Sequence, residues 1–228
     1  MDSFLLPQAS LFLGIIPALV LLFISLKGYE GVFQEKLIFL TFIGGIITGF
    51  IAVIIEWFSY GVGVWFVILF PVVEQLIKTM VLNLRRFHEQ PAILIYGLCL
   101  GLGFGAIFTP FSLLLANIQS DQLFIDITFV LIGAIGIILL HGATGIILGA
   151  GVYKQRVFYH LALAILMHIP IPAAILITTL TGVAWSQSLL IIYGIVIYWY
   201  ATTRVMPLAL PQSGRRKRLK QKVKKEND

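Results

Sequence analysis

The chain has 228 residues, 59% of them hydrophobic and only 11% charged, against about 25% charged in a typical soluble domain. With a mean hydropathy of +1.00, it carries more apolar surface than a soluble core can absorb, which excludes a soluble globular enzyme and a disordered chain. The net charge is +6, and the single cysteine, Cys99, excludes a disulfide framework within one chain.

Apolar stretches of about 20 residues bounded by polar ones predict an all-α, polytopic membrane protein. Seven transmembrane helices are expected, over residues 5–26, 37–59, 62–82, 91–116, 124–151, 157–180 and 187–206. The first stretch follows acidic Asp2 with no basic residue before it and is long enough to span, so it reads as a retained helix rather than a signal peptide. The third contains Glu74 and Lys78, the fourth Gly97, Gly101 and Gly105, the fifth His141 and the sixth His168. Glu56 and Asp126 fall near the outer ends of the second and fifth, where interfacial water is expected to solvate them. The connections are too short to hold an extramembrane domain. Residues 1–212 thus form the membrane domain, and 213–228 a basic cytoplasmic tail expected to be disordered.

Basic residues near span ends favour the cytoplasm. Lys27 and Lys36 lie in the first loop, Arg85 and Arg86 in the third, and Lys154 and Arg156 in the fifth. Arg204 and the cluster Arg215–Lys225 close the chain, and the second, fourth and sixth loops carry no basic residue. This alternation predicts an outside N-terminus and a cytoplasmic C-terminus. The tail suits topological retention and contact with anionic lipid headgroups; nucleic acid is not an expected partner.

Glu74, Lys78, His141 and His168 stand out because an ionisable group in hydrocarbon costs several kcal/mol unless paired or hydrated. Glu74 and Lys78 are i, i+4, the acid one turn before the base, so they are expected to pair, with Lys78 snorkelling to the cytoplasmic end. At about 1.5 Å per residue Glu74 lies about 13 Å from that end, and His141 and His168 each lie roughly 18 Å deep. Glu74, His141 and His168 are therefore expected to converge in one pocket in the inner half of the membrane. A carboxylate beside an imidazole can activate water, and the same groups have the types that bind a divalent metal. Mutual hydrogen bonding that ties three helices together fits equally. The spacing is not that of a helical metal motif such as HExxH, so no metal and no cofactor is assigned.

Gly97, Gly101 and Gly105 recur at i, i+4 with Gly103 beside them. Such a face lets another backbone approach closely where lipid supplies no hydrophobic drive. It is a helix-docking face, for a neighbour in the same chain or for another subunit.

PVVEQLIK at 71–78, GLGF at 101–104 and the histidines of the next two helices resemble the PrsW and CaaX-protease superfamily of glutamic intramembrane proteases. That resemblance implies an EExxK motif and a second acidic or histidine group four residues after the phenylalanine. Here Gln75 replaces the second glutamate, and Phe108 stands four residues after Phe104. The chain is more similar to the Aph subunit of gamma-secretase, a non-catalytic branch, in its seven spans, in Gly97, Gly101 and Gly105, in IILLH at 137–141 and in His168. This resemblance implies a pseudo-protease scaffold that assembles or stabilises a presenilin-type intramembrane aspartyl protease, with no catalytic residue of its own. The alternative is an active PrsW-like protease using Glu74, His141 and His168. A transporter is less favoured, because no inverted repeat is visible and the polar groups cluster rather than line a path. The short loops point to the cell membrane of a prokaryote or archaeon.

Overall fold

In the computed structural model the described residues are 5–87, 90–115, 123–181, 185 and 188–211; the side chains of 5–10, 59–62, 109, 111–115, 123–127, 130 and 179 are not described. The basic tail and the side chain of Asp126 lie outside this description. The described residues are helical, with no strand: α1 (Leu5–Leu26), α2 (Glu35–Ser59), α3 (Phe66–Leu82), α4 (Ile93–Leu115), α5 (Leu123–Tyr153), α6 (Val157–His168), α7 (Pro170–Thr181) and α8 (Leu189–Tyr200). Helix is the expected outcome, since in hydrocarbon each backbone N–H and C=O must find its partner inside the segment.

By length and composition five helical stretches among the described residues can cross a membrane: Glu35–Phe58, Gly63–Leu82, Leu131–Tyr153, Val157–Thr178 and Leu189–Ala209. Leu11–Leu26 and Ile93–Phe108 are shorter apolar helices. The second of these forms the centre of the fold. In α4, Leu94, Ile95, Tyr96, Leu98, Leu100 and Leu102 are completely buried, enclosed by α1, α2 and α5. α5 in turn packs against α6 and α8, and α3 against α2, α5, α6 and α7. The outer faces carry exposed Phe23, Phe58, Phe158, Leu180 and Trp199, the apolar surface that a bilayer covers.

Small residues set the helix spacing. A Cβ on Gly97 would overlap the carbonyl oxygen of Gly145, one on Gly101 that of His141, and one on Gly105 would come within 3.0 Å of the His141 side chain. The glycine face is therefore engaged by α5 of the same chain, and α5 answers with Gly145 against Gly97 and Gly149 against Ile93. On another side of α4, Gly45 and Gly49 of α2 meet the backbone at Leu100 and Phe104. The contact that the sequence left open between one chain and two is made within one chain.

The sixth expected span is present as one apolar helical stretch, Val157–Thr178, with a one-residue interruption at Ile169, which keeps helical angles. α6 ends at His168 and α7 begins at Pro170; Pro170 and Pro172 lack the N–H groups that would bond Leu166 and His168 in a continuous helix. The Tyr193 hydroxyl of α8 donates to the Met167 carbonyl at 2.9 Å, which holds this interruption against the bundle. The seventh span also changes character, passing through a π-helical turn at Ala201–Val205 and a 3₁₀ turn at Met206–Ala209.

Candidate functional site

The inner stripe of α3 runs Phe66, Phe70, Pro71, Glu74, Gln75, Lys78, Thr79 and Leu82, all buried. The spacing is that of one helix face, apolar at both ends and polar in the middle. In a membrane the polar part of a helix turns to the protein and leaves the apolar side to lipid, and this orientation places Glu74 and Lys78 against α5 and α6.

Glu74, Gln75, Lys78, His141, Thr144 and His168 are all 0% exposed. Glu74 Oε2 lies 2.6 Å from His168 Nε2, yet the two are not aligned as a hydrogen bond. The proximity and the missing bond describe one contact, close enough for an ion pair but off the N–H axis. On the other side of the His168 ring, Gln75 Nε2 is 3.0 Å from Nδ1. The His141 and His168 rings lie 4.9 Å apart. Lys78 Nζ is 3.1 Å from His141 Nδ1 and donates to Thr144 Oγ1 at 3.0 Å, while Thr144 Oγ1 donates to the His141 carbonyl at 3.1 Å. Phe108 stacks on His141 with centroids 5.0 Å apart, and Phe104 packs against both the imidazole, at 5.0 Å, and the Lys78 ammonium, at 4.9 Å.

Two expectations are corrected. Glu74 and Lys78 do not come within ion-pair distance of each other; Glu74 turns to His168, and Lys78 to His141 and Thr144. Nor does Lys78 snorkel to the cytoplasmic end, because an imidazole nitrogen and a hydroxyl within about 3 Å already satisfy its head. Glu56 also departs from expectation: it is 4% exposed rather than solvated, and its Oε2 has no hydrogen-bond partner. α2 packs against α3 and α4, and the buried Glu56 side chain lies on its covered side.

The expected convergence of Glu74, His141 and His168 is present: one ligand-type atom from each lies within 4.8 Å of the others. Sequence reasoning missed Thr144 and Gln75 as partners. Thr144 lies three residues after His141, on the same helix face, and that spacing was the available signal. Gln75 was read as the loss of an acid, although an amide beside a buried imidazole is a useful hydrogen-bonding group.

Chemically, the cluster can hold three helices together through paired charge and hydrogen bonds, bind a small polar species between Glu74 and the two Nε2 atoms, or serve as acid and base if a substrate enters. No protein-family model, curated protein or solved structure matches the chain.

Proposed function

We propose that this chain is a non-catalytic, seven-span membrane scaffold of the Aph type, with its N-terminus outside and its C-terminus in the cytoplasm. In this reading its partner is a presenilin-type intramembrane aspartyl protease. The observation that carries the non-catalytic part is the closure of the polar cluster: its residues are fully buried, and Phe104 and Phe108 cover His141. A peptide bond must reach within hydrogen-bond distance of an acid and a base to be hydrolysed, and a cluster whose members are all fully buried offers no such contact. Phe108 stands at the position where the protease pattern has a second polar group, and Gln75 bonds His168 in place of a second acid. The partner rests on the resemblance in Gly97, Gly101, Gly105, His141 and His168. Because α5 fills that glycine face, the partner docks on the outer helices.

The decisive experiment is affinity purification in mild detergent with identification of co-purifying membrane proteins, beside a cleavage assay of the isolated chain. Recovery of an aspartyl protease with no cleavage by the chain alone is the expected result. One observation favours the second reading, a PrsW-like protease using Glu74, His141 and His168: the buried Glu56 carboxylate, whose Oε2 has no hydrogen-bond partner, offers a replacement for the missing acid. Cleavage by the isolated chain that is lost in Glu74→Gln at unchanged melting temperature would establish that reading and end the scaffold proposal.

The topology has its own test. A reporter after Lys225 is expected to be cytoplasmic and one at Met1 external, as the basic loops require; both reporters on one side would remove the seven-span arrangement.

A further inference from the structure

Six buried polar atoms among the described residues lack a hydrogen-bond partner, and four of them, both oxygens of Glu74 and the Nε2 atoms of His141 and His168, belong to three residues whose ligand-type atoms converge within 4.8 Å. Buried polar atoms are nearly always satisfied, and here orphans from three helices converge. We propose that Glu74, His141 and His168 bind one divalent transition-metal ion, with zinc the best fit to an imidazole and carboxylate donor set.

The surroundings of the two rings support this assignment. Each imidazole is held at Nδ1, His168 by the Gln75 amide and His141 by Lys78, and each leaves Nε2 for the centre. Metal-binding histidines donate the far N–H to a partner; the Gln75 amide oxygen can accept it from His168, and Lys78, which as an ammonium only donates, can accept it from His141 once metal binding displaces its proton. Lys78 reaches only that far nitrogen of His141 and turns its other contact to Thr144, so it stands outside the space between the three ligands.

Gln75 supplies a second, independent sign. Its Oε1 is also buried and without a partner while its Nε2 lies on His168 Nδ1. Which end of an amide is oxygen follows from the bonding network. Rotating this amide by half a turn gives Oε1 an N–H donor at His168 Nδ1 and leaves the ring's lone pair on Nε2. That lone pair then faces a carboxylate oxygen 2.6 Å away, an arrangement of two acceptors that a cation between them makes favourable. In the unrotated form the Glu74–His168 contact stays misaligned and Gln75 Oε1 stays unsatisfied. Donor atoms around zinc sit about 2.0–2.2 Å from the ion and therefore about 3.3–3.5 Å from one another. Reaching that spacing takes shifts on the order of 1 Å, opening the 2.6 Å Glu74–His168 pair and closing the 4.8 Å spread. The second Glu74 oxygen or a water completes a fourth position. A single bridging water is the competing occupant and would engage the same atoms.

The test uses the full chain, purified without a histidine tag from cells grown with added zinc and passed through chelator-free gel filtration. About one zinc per chain is expected in the wild type, with retention falling at least tenfold in the His141→Asn and His168→Asn variants and unchanged in His160→Asn, whose imidazole lies elsewhere against Gly151 and the Arg156 carbonyl. Because the ligand variants could fail to fold, X-ray absorption at the zinc edge of the wild type provides a second measurement. Two imidazoles and otherwise oxygen ligands at about 2.0–2.2 Å are expected. Wild-type protein that holds no more zinc than background, or zinc whose ligands include sulfur or fewer than two imidazoles, overturns the proposal. Neither result depends on whether a protease co-purifies, so the site and the scaffold reading fail separately.

Discussion

Replacing Gly101 by leucine is expected to abolish or severely reduce recovery of folded, monodisperse protein, with or without a partner. A Cβ alone at this position would overlap the carbonyl of His141, and the next nearest atoms are also backbone. Backbone cannot rotate away as a side-chain tip can, so α4 and α5 must separate. Overpacking a tight site costs about 1–3 kcal/mol and occasionally more, and Gly101→Ala belongs in that range, with Gly101→Leu at or beyond its upper end. Against a total stability of roughly 5–15 kcal/mol, the leucine variant removes much of the margin. Separation also displaces His141, whose carbonyl and side chain are the atoms that Gly101 and Gly105 touch, so the polar cluster should loosen with the glycine contact. Gly44→Ala is the control, because a Cβ there meets only Leu100 Cδ1 at 4.0 Å. Melting and size-exclusion profiles of the isolated chain in detergent check this; wild-type melting for Gly101→Leu would contradict an α4–α5 contact of this kind.

The membrane-protein class and the helical segments were legible because lipid makes hydropathy and helix nearly synonymous. What hydropathy could not reveal was which way each helix faces. The apolar residues of α4 and those of α1 look alike in sequence, but Leu94 is fully buried and Phe12 is 65% exposed. The one-residue interruption after His168 was signalled by Pro170 and Pro172, and the apolar run continues through it as the single span that hydropathy reads. The convergence of Glu74, His141 and His168 was readable from a count along each helix, since rise per residue is fixed. Their partners were not, because the choice of His141 over Glu74 by Lys78 depends on helix rotation and on Thr144. The glycines tell a similar story. Gly97, Gly101 and Gly105 were visible as a face, but the matching Gly145 and Gly149 on α5 identify its occupant, and a single-helix motif does not contain that information.

Lys78→Met is expected to destabilise the chain strongly, because it removes the buried ammonium while leaving Glu74 behind. Methionine keeps the length and flexibility of the lysine stem, so packing against Phe104 changes little and the charge is what is lost. Breaking one member of a buried charged set costs about 3–5 kcal/mol, since the remaining carboxylate stays fully buried with less positive charge around it. Thr144 Oγ1 and His141 Nδ1 lose their shared partner as well. The double variant Glu74→Gln with Lys78→Met removes both charges, and replacing a whole buried ionic group often costs little. It should therefore be more stable than Lys78→Met alone, although Glu74 and Lys78 do not touch. A coupling of at least about 1 kcal/mol in the double-mutant cycle, which is well above the 0.3–0.5 kcal/mol scatter of independent sites, would mean that the charges communicate through His168 and His141. Denaturation of all four proteins in one detergent measures it, and additive effects would show that α3 carries two separate polar contacts rather than one balanced cluster.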